Sequence, residues 1–289
     1  YTDQLSLDLI SKVVLKTDLL DYIDLRSGFT SGTVAINLVD AALPVSALSC
    51  GWTSDGQVTY TQVNVIIESL QSKTEMCVED LRATYQSAFM NAGTGNDFIP
   101  FENVISESYS DKLRKYNEGF LINGSAGGAM TGLKGQITAA NGANLQGGVI
   151  AAWTAANAFE QALDLYDAID ESVKDRDDLI MVVSPDAYRA LVRALVAQNL
   201  YHFNSVESND ILILPGTNVT VVKSSGLVGS DNKFAGPGKM ILAATGLTDE
   251  LDNFRFFYDE AADVMKFRAA WRLGVGVGEV NVFATNDMA

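Results

Sequence analysis

Residues Tyr116–Gly135 read YNEGFLINGSAGGAMTGLKG, a glycine-rich run behind a helical stretch. As a phosphate-binding loop it would make the chain a nucleotide-using enzyme. As a helix stop and a turn it would carry no chemistry of its own. A P-loop requires G-x-x-x-x-G-K-[ST], because backbone amides wrap the phosphate and the Lys and hydroxyl follow at once. Gly127 and Gly132 have that separation, but Leu133 stands where Lys is needed, Lys134 comes one residue late and Gly135 replaces the hydroxyl. Phosphate loops also join a strand to a helix N-terminus, whereas this run follows a helix. The residues predict that Gly124 ends the helix in the left-handed conformation and that a flexible connection follows.

Upstream, Phe101, Ile105, Tyr109, Leu113, Tyr116 and Phe120 recur at helical spacing and define one apolar stripe from about Glu102 to Leu121. Glu107, Asp111, Lys112, Arg114, Lys115 and Glu118 form the opposite, charged face. A long helix with one narrow stripe is expected to lie across a surface. Before it, residues 33–70 read as two strands rich in Val, Ile, Tyr and Thr around the Asp-Gly turn signal of CGWTSDGQ. Val63, Val65 and Ile67 alternate in one phase and Val58 and Tyr60 in the other, which predicts a bulge or a twist between them. A hairpin this long, with few large apolar residues near its tip, must lean on something else. Thr74–Met90 reads as helix.

Downstream, Trp153–Val173 reads as helix and Leu179–Val183 as a short buried strand. Ser184, Pro185 and Asp186 then have the order of an N-cap, a first helical position and a dipole partner. Asp210–Leu214, Asn218–Val222 and Gly238–Ala244 supply further strands, so this part reads as a compact α/β unit. Near the C-terminus a turn at Asp259–Asp263 precedes a long strand, in which Met265, Phe267, Ala269, Trp271, Leu273, Val275 and Val277 share one face.

The 289-residue chain, 47% hydrophobic, is long enough to bury a sizeable core. It carries 36 acidic and 20 basic residues, a net charge of −16, so it repels nucleic acid on average. Two cysteines, Cys50 and Cys77, cannot make a disulfide framework, and His202 is the only histidine, which rules out a His-rich metal site. No G-x-S-x-G elbow is present. The acidic run Asp170–Asp178 lacks the spacing of a calcium loop and reads as a solvated helix end. Phe254, Phe256, Phe257 and Tyr258 have no basic surround and read as core. No window reads as a membrane span; the uncharged run Gly135–Phe159 is too polar for lipid. No signal peptide is recognisable at the start. The residues point away from an enzyme, and to no cofactor or metal.

The order of parts (arm, long hairpin, long helix, glycine-rich turn, α/β unit, long returning strands) resembles the major capsid protein of tailed bacteriophages. That fold is shared with encapsulins and herpesvirus capsid floors. QVNVIIESL resembles the return limb of the family's E-loop, and YNEGFLINGSAGGAMTGLKG the segment that ends its spine helix. DDLIMVVSPDAYRALVRAL is similar to the A-domain strand and helix, and VMKFRAAWRLGVGVGEVNVF to the closing P-domain strands. The resemblance implies an α+β fold with an N-terminal arm (1–32), E-loop (33–70), P-domain with spine helix (71–155), A-domain (156–250) and P-domain return strands (251–289).

It further implies a structural protein of the virion that self-assembles in the host bacterial cytoplasm. Hexamers and pentamers would build an icosahedral shell around double-stranded DNA, without sequence-specific binding and without a membrane. Portal, scaffold or maturation protease, and decoration proteins are the implied partners. Implied contacts between subunits are the E-loop tip, Cys50, Gly51, Trp52, Thr53, Ser54, Asp55 and Gly56, and the P-domain hairpin turn, Asp259, Glu260 and Asp263. An encapsulin-like cellular shell is the alternative, and a soluble nucleotide-binding enzyme a more distant one. Some relatives join neighbours through an E-loop Lys, but none lies between Lys16 and Lys73, so no such crosslink is expected. Cys50 is expected to be a free thiol. The Tyr1 start fits the family habit of removing an N-terminal scaffolding segment.

Overall fold

A computed structural model describes residues 18–30, 32–41, 58–77, 101–147, 151–199, 212–246, 254–259, 261–262 and 264–288. In chain order the elements are β1 (Asp24–Arg26), β2 (Gly32–Ala41), β3 (Val58–Cys77), α1 (Phe101–Asn123), α2 (Leu133–Gln136), β4 (Asn144–Leu145), α3 (Ala158–Asp167) and β5 (Leu179–Val183). There follow α4 (Pro185–Ala197), β6 (Leu212–Ile213), β7 (Thr220–Lys223), β8 (Phe234–Pro237), β9 (Ile241–Thr245), β10 (Phe254–Asp259), β11 (Val264–Val277) and β12 (Ala284–Thr285).

Strict alternation makes β11 the axis of the first sheet. One of its edges runs antiparallel to β3, from Val264 opposite Cys77 to Val275 opposite Ile66. Its other edge is shared, β10 taking Val264–Ala269 and β9 taking Leu273–Val277. Strand β1 joins β9 in parallel. The outer half of β3 leaves β11 and pairs with β2, from Gly32 opposite Ile67 to Ala41 opposite Val58.

The register is unbroken along both pairings, so of a bulge or a twist the bulge is excluded. Tyr60 belongs to the opposite face, where it is 71% exposed. Strand β3 also runs on to Cys77, so Thr74–Cys77 is strand where helix was expected. Pairing with Val264–Phe267 overrides the weak helical preference of that segment; residues 78–90 lie outside the described set.

Phe267, Ala269, Trp271, Leu273, Val275 and Val277 are all buried on the expected face of β11. Helix α1 packs on this face at Phe267 and Trp271, and α2 meets its Val275–Val277 end. Tyr109 stacks on Phe267 with ring centres 4.6 Å apart, and Trp271 Nε1 donates to Asn117 Oδ1 at 2.9 Å. The stripe on α1 holds at Leu113 and Phe120 and fails at Tyr116, which is 55% exposed. Beyond Leu113 the buried arc widens to Asn117, Glu118, Leu121 and Ile122, because this end is enclosed between both sheets rather than laid across one surface.

The second sheet has the order β4-β12-β8-β5-β7-β6. Strand β5 is buried along its whole length and pairs in parallel with β7 and antiparallel with β8. Ser184 caps α4 by accepting from the Ala187 amide at 3.2 Å, with Pro185 in the first turn. Helix α3 is shorter than expected; it stops at Asp167, and Asp170 then caps a separate 3-10 turn at Glu171–Val173. Residues 238–244 do not join this unit as expected. They form a 3-10 turn and then β9, which belongs to the first sheet. Lys233 is buried here, its Nζ donating to Asp231 O and lying 5.3 Å from the Trp153 ring centre; burial pushes its amine below the ordinary lysine range.

Candidate functional site

Helix α1 stops at Gly124, whose φ of +82° suits glycine and whose amide donates to Phe120 O at 2.8 Å. The chain then folds back on itself instead of running loose. Ser125 N donates to Met130 O at 3.0 Å, Met130 N to Ser125 Oγ at 3.1 Å, and Gly124 bridges Thr131. Gly135 and Gln136 amides both donate to Gly132 O at 3.0 Å, opening α2. A phosphate cradle needs a run of amides aimed at the ligand, and these amides are aimed at protein oxygens. The turn is closed by its own hydrogen bonds, which take up the amides of Gly124, Ser125, Gly128 and Met130.

Its construction is close-packed backbone. A Cβ on Gly132 would sit 2.5 Å from the Asn123 carbonyl carbon, with Gly124 N and Ile122 O nearer still. Side chains on either side fasten the joint to both sheets. Glu118 is buried and accepts from Ser225 N at 3.1 Å and Ser225 Oγ at 2.5 Å, and Asn123 Nδ2 donates to Gly226 O at 2.9 Å. On the other side, Gln136 Nε2 donates to Val275 O at 3.2 Å while its Oε1 accepts from Val277 N at 3.1 Å. Gln136 thus serves the β11 edge just where β3 departs. Glu118 was expected on the outer face of α1. Nothing local marks it as buried, since its partner lies 107 residues away.

Of the expected contact residues, Cys50, Gly51, Trp52, Thr53, Ser54, Asp55 and Gly56 lie outside the described set, as do Glu260, Asp263 and His202. Asp259 ends β10. It pairs with Lys266 and accepts from the Ala261 amide at 3.1 Å, and the Lys266 hydrogen bond holds its carboxyl below the usual range. The turn itself falls at Ala261–Ala262. Phe257, expected in the core, is 45% exposed.

Asp170, Glu171 and Asp178 of the acidic run have local partners, whereas Asp175 and Asp177 are exposed. Asp170 accepts from Ser172 N and Oγ, Lys174 pairs with Glu171, and Arg176 donates twice to Asp178. Among the described residues no group of three or more His, Cys, Asp or Glu could hold a metal, and no helix is long and apolar enough to cross a membrane. The described surface also carries an uncovered ribbon. The β2–β3 hairpin reaches beyond β11 with Tyr60 uncovered and Ile66 39% exposed, and no described strand pairs with the β11-facing edge of β3 along 58–65.

No family model and no curated protein matches the chain. Solved structures do. The capsid of a native GTA particle superposes with a TM-score of 0.60 at 14% identity, over 94% of this chain and 90% of that one. The satellite phage P4 procapsid, whose structure includes the size-determination (Sid) protein, gives 0.60 at 11% identity over 98% and 92%. A virus-like particle from Pyrococcus furiosus gives 0.55 at 11% identity over 97% and 98%. The chain therefore has the α+β fold of tailed-phage major capsid proteins along nearly its whole length.

Proposed function

We propose that this chain is a non-enzymatic shell subunit, the major capsid protein of a tailed phage. Copies assemble as hexamers and pentamers into an icosahedral capsid around double-stranded DNA. The observation that carries the reading is the β2–β3 hairpin, which projects with an uncovered apolar surface from a chain of capsid fold. A two-stranded ribbon is marginal alone, so a neighbouring copy is its natural support. In this reading β2 and β3 form an E-loop within 33–70 behind an arm of 1–32, and α1 is the spine helix of a P-domain spanning 71–155. Residues 156–250 make the A-domain, although β9 pairs into the P-domain sheet, and 251–289 supply the return strands.

The E-loop tip, Cys50–Gly56, and the turn bearing Asp259, Glu260 and Asp263 contact neighbours. Many modest interfaces repeated by symmetry close the shell. The net charge of −16 lets DNA be enclosed without being gripped. Portal, scaffold or protease, and decoration proteins complete the particle, which forms in the host cytoplasm. An encapsulin-like cellular shell is a second reading, favoured by the likeness to the Pyrococcus furiosus particle.

Electron microscopy of the purified native protein tests both. Particles tens of nanometres wide are expected, and a protein that stays monomeric at high concentration refutes the shell. Extracted double-stranded DNA selects the phage capsid, and protein cargo selects the cellular compartment.

A further inference from the structure

The register of the first sheet collects positive charge that the overall composition hides. On β11, Lys266, Arg268 and Arg272 occupy alternate positions, on the face opposite the one packed against α1. Lys73 of β3 lies directly opposite Arg268, and the β10 residue paired with Arg268 is Arg255. Lys73 and Arg268 are thus directly opposed cations on neighbouring strands, and Arg255 holds the register position on the far side of Arg268. Directly opposed like charges destabilise a sheet, so this pair is unfavourable within the isolated subunit. Lys73 and Arg268 are exposed, and so are Gln71 and Ser69 beside them. Among the described residues of this face, Glu75 lies one row away, opposite Lys266, and Asp259 lies two rows away, bound to Lys266. The other end of this face is already covered, by the apolar cluster of Val65, Ile67, Leu242 and Ala244 with Phe29 against it.

We propose that the opposed pair Lys73 and Arg268 is a docking face for carboxylates of a second copy of this chain. The proposal rests on the shell reading. With 36 acidic residues in 289, a facing copy has such a surface to offer, for example exposed Glu160, Asp167, Asp175 and Asp177 along α3 and the turn after it. Nucleic acid fits less well. A duplex is held by roughly 6–10 phosphate contacts, and the field of a chain at −16 opposes its approach. A contact between unlike patches of identical copies is heterologous, which is the geometry that closes rings.

A zero-length carbodiimide joins a lysine amine to a carboxylate in direct contact and adds no spacer. Particles assembled from an equal mixture of unlabelled and 15N-labelled full-length chain are treated, digested and mapped by mass spectrometry. The expected result is Lys73 joined to an Asp or Glu peptide in mixed-isotope pairs, absent from dissociated subunits. Lys73 equally reactive toward an acylating reagent in particles and in dissociated subunits overturns the proposal. So does Lys73 protected in filled particles and released when nuclease empties them, because nucleic acid is then the occupant. A protein that forms no particles refutes the shell reading along with this contact, whereas particles with an open Lys73 refute the contact alone. Lys73→Gln with Arg268→Gln separates docking from folding. Dispersed subunits should melt about 1–3 °C higher as the pair's repulsion is relieved, while particle yield falls about tenfold. Unchanged yield overturns the proposal.

Discussion

Three alanine substitutions within the glycine turn test whether it is a packed joint. At Gly127 an added Cβ meets nothing within 4 Å and φ is not in the left-handed region, so Gly127→Ala should change stability by less than about 0.5 kcal/mol. At Gly128 the space is also open but φ is +73°. The left-handed conformation costs an L-residue about 1–2 kcal/mol, offset by about 0.4–1 from a less mobile unfolded chain, which leaves about 1 kcal/mol of destabilisation. At Gly132 every near obstacle is backbone, from Gly124 N through Ile122 O to the Asn123 carbonyl carbon, and none can rotate away. Overpacking that side chains absorb costs about 1–3 kcal/mol, so Gly132→Ala should cost about 3 kcal/mol or more. Guanidinium unfolding of dispersed subunits, followed by tryptophan fluorescence, gives the three differences on one scale. The order Gly127, Gly128, Gly132 is the prediction. A Gly132→Ala variant within 0.5 kcal/mol of Gly127→Ala would show that α1 and the returning chain are not in contact.

Glu118→Ala leaves the Ser225 amide without its acceptor and should cost about 1–3 kcal/mol; a double-mutant cycle with Ser225→Ala that returns zero coupling contradicts it. Asp259 has a depressed folded pKa, so its pairing with Lys266 supports the fold above the unfolded carboxylate value near 3.8 and is lost as pH falls through the lower folded value. Asp259→Asn should therefore flatten the acid limb of stability between pH 2 and 5, read from denaturation midpoints. Lys233 behaves in the opposite sense. Its folded pKa lies below the unfolded 10.5, so the unfolded chain binds more protons in between and stability rises with pH through that window. Lys233→Met should be neutral or stabilising at pH 7 and should remove that rise; a midpoint that climbs equally in both proteins refutes the assignment.

Strand β11 was legible because period-two alternation over that length admits one buried face, and α4 because Ser184 and Pro185 mark its start within three residues. Gly124 was legible as a stop for the same local reason. Glu118 was not. Its burial depends on Ser225, brought beside α1 by the path of the second sheet, and helical periodicity alone puts it outside. Tyr60 misled in a similar way, since a ribbon with an open face does not confine its apolar residues to one phase. The assignment of β9 to the first sheet failed for want of any local cue, because partner choice between two sheets is a tertiary decision. The basic positions lie on β3 and, about 190 residues later, on the adjacent strands β10 and β11, and become visible only in the register.

The pairing of β3 with β11 also has a mechanical side. Ladder bonds lie across the strands, so a pull along the strand axis loads the whole run from Val264–Cys77 to Val275–Ile66 at once, in shear. The β2–β3 ribbon, prised apart at its tip, would instead open one rung after another. Tension carried through β11 therefore meets the strong direction of the sheet, and a peeling force at the hairpin meets the weak one. The same sheet thus resists extension along β11 and yields more readily to lifting of the β2–β3 ribbon.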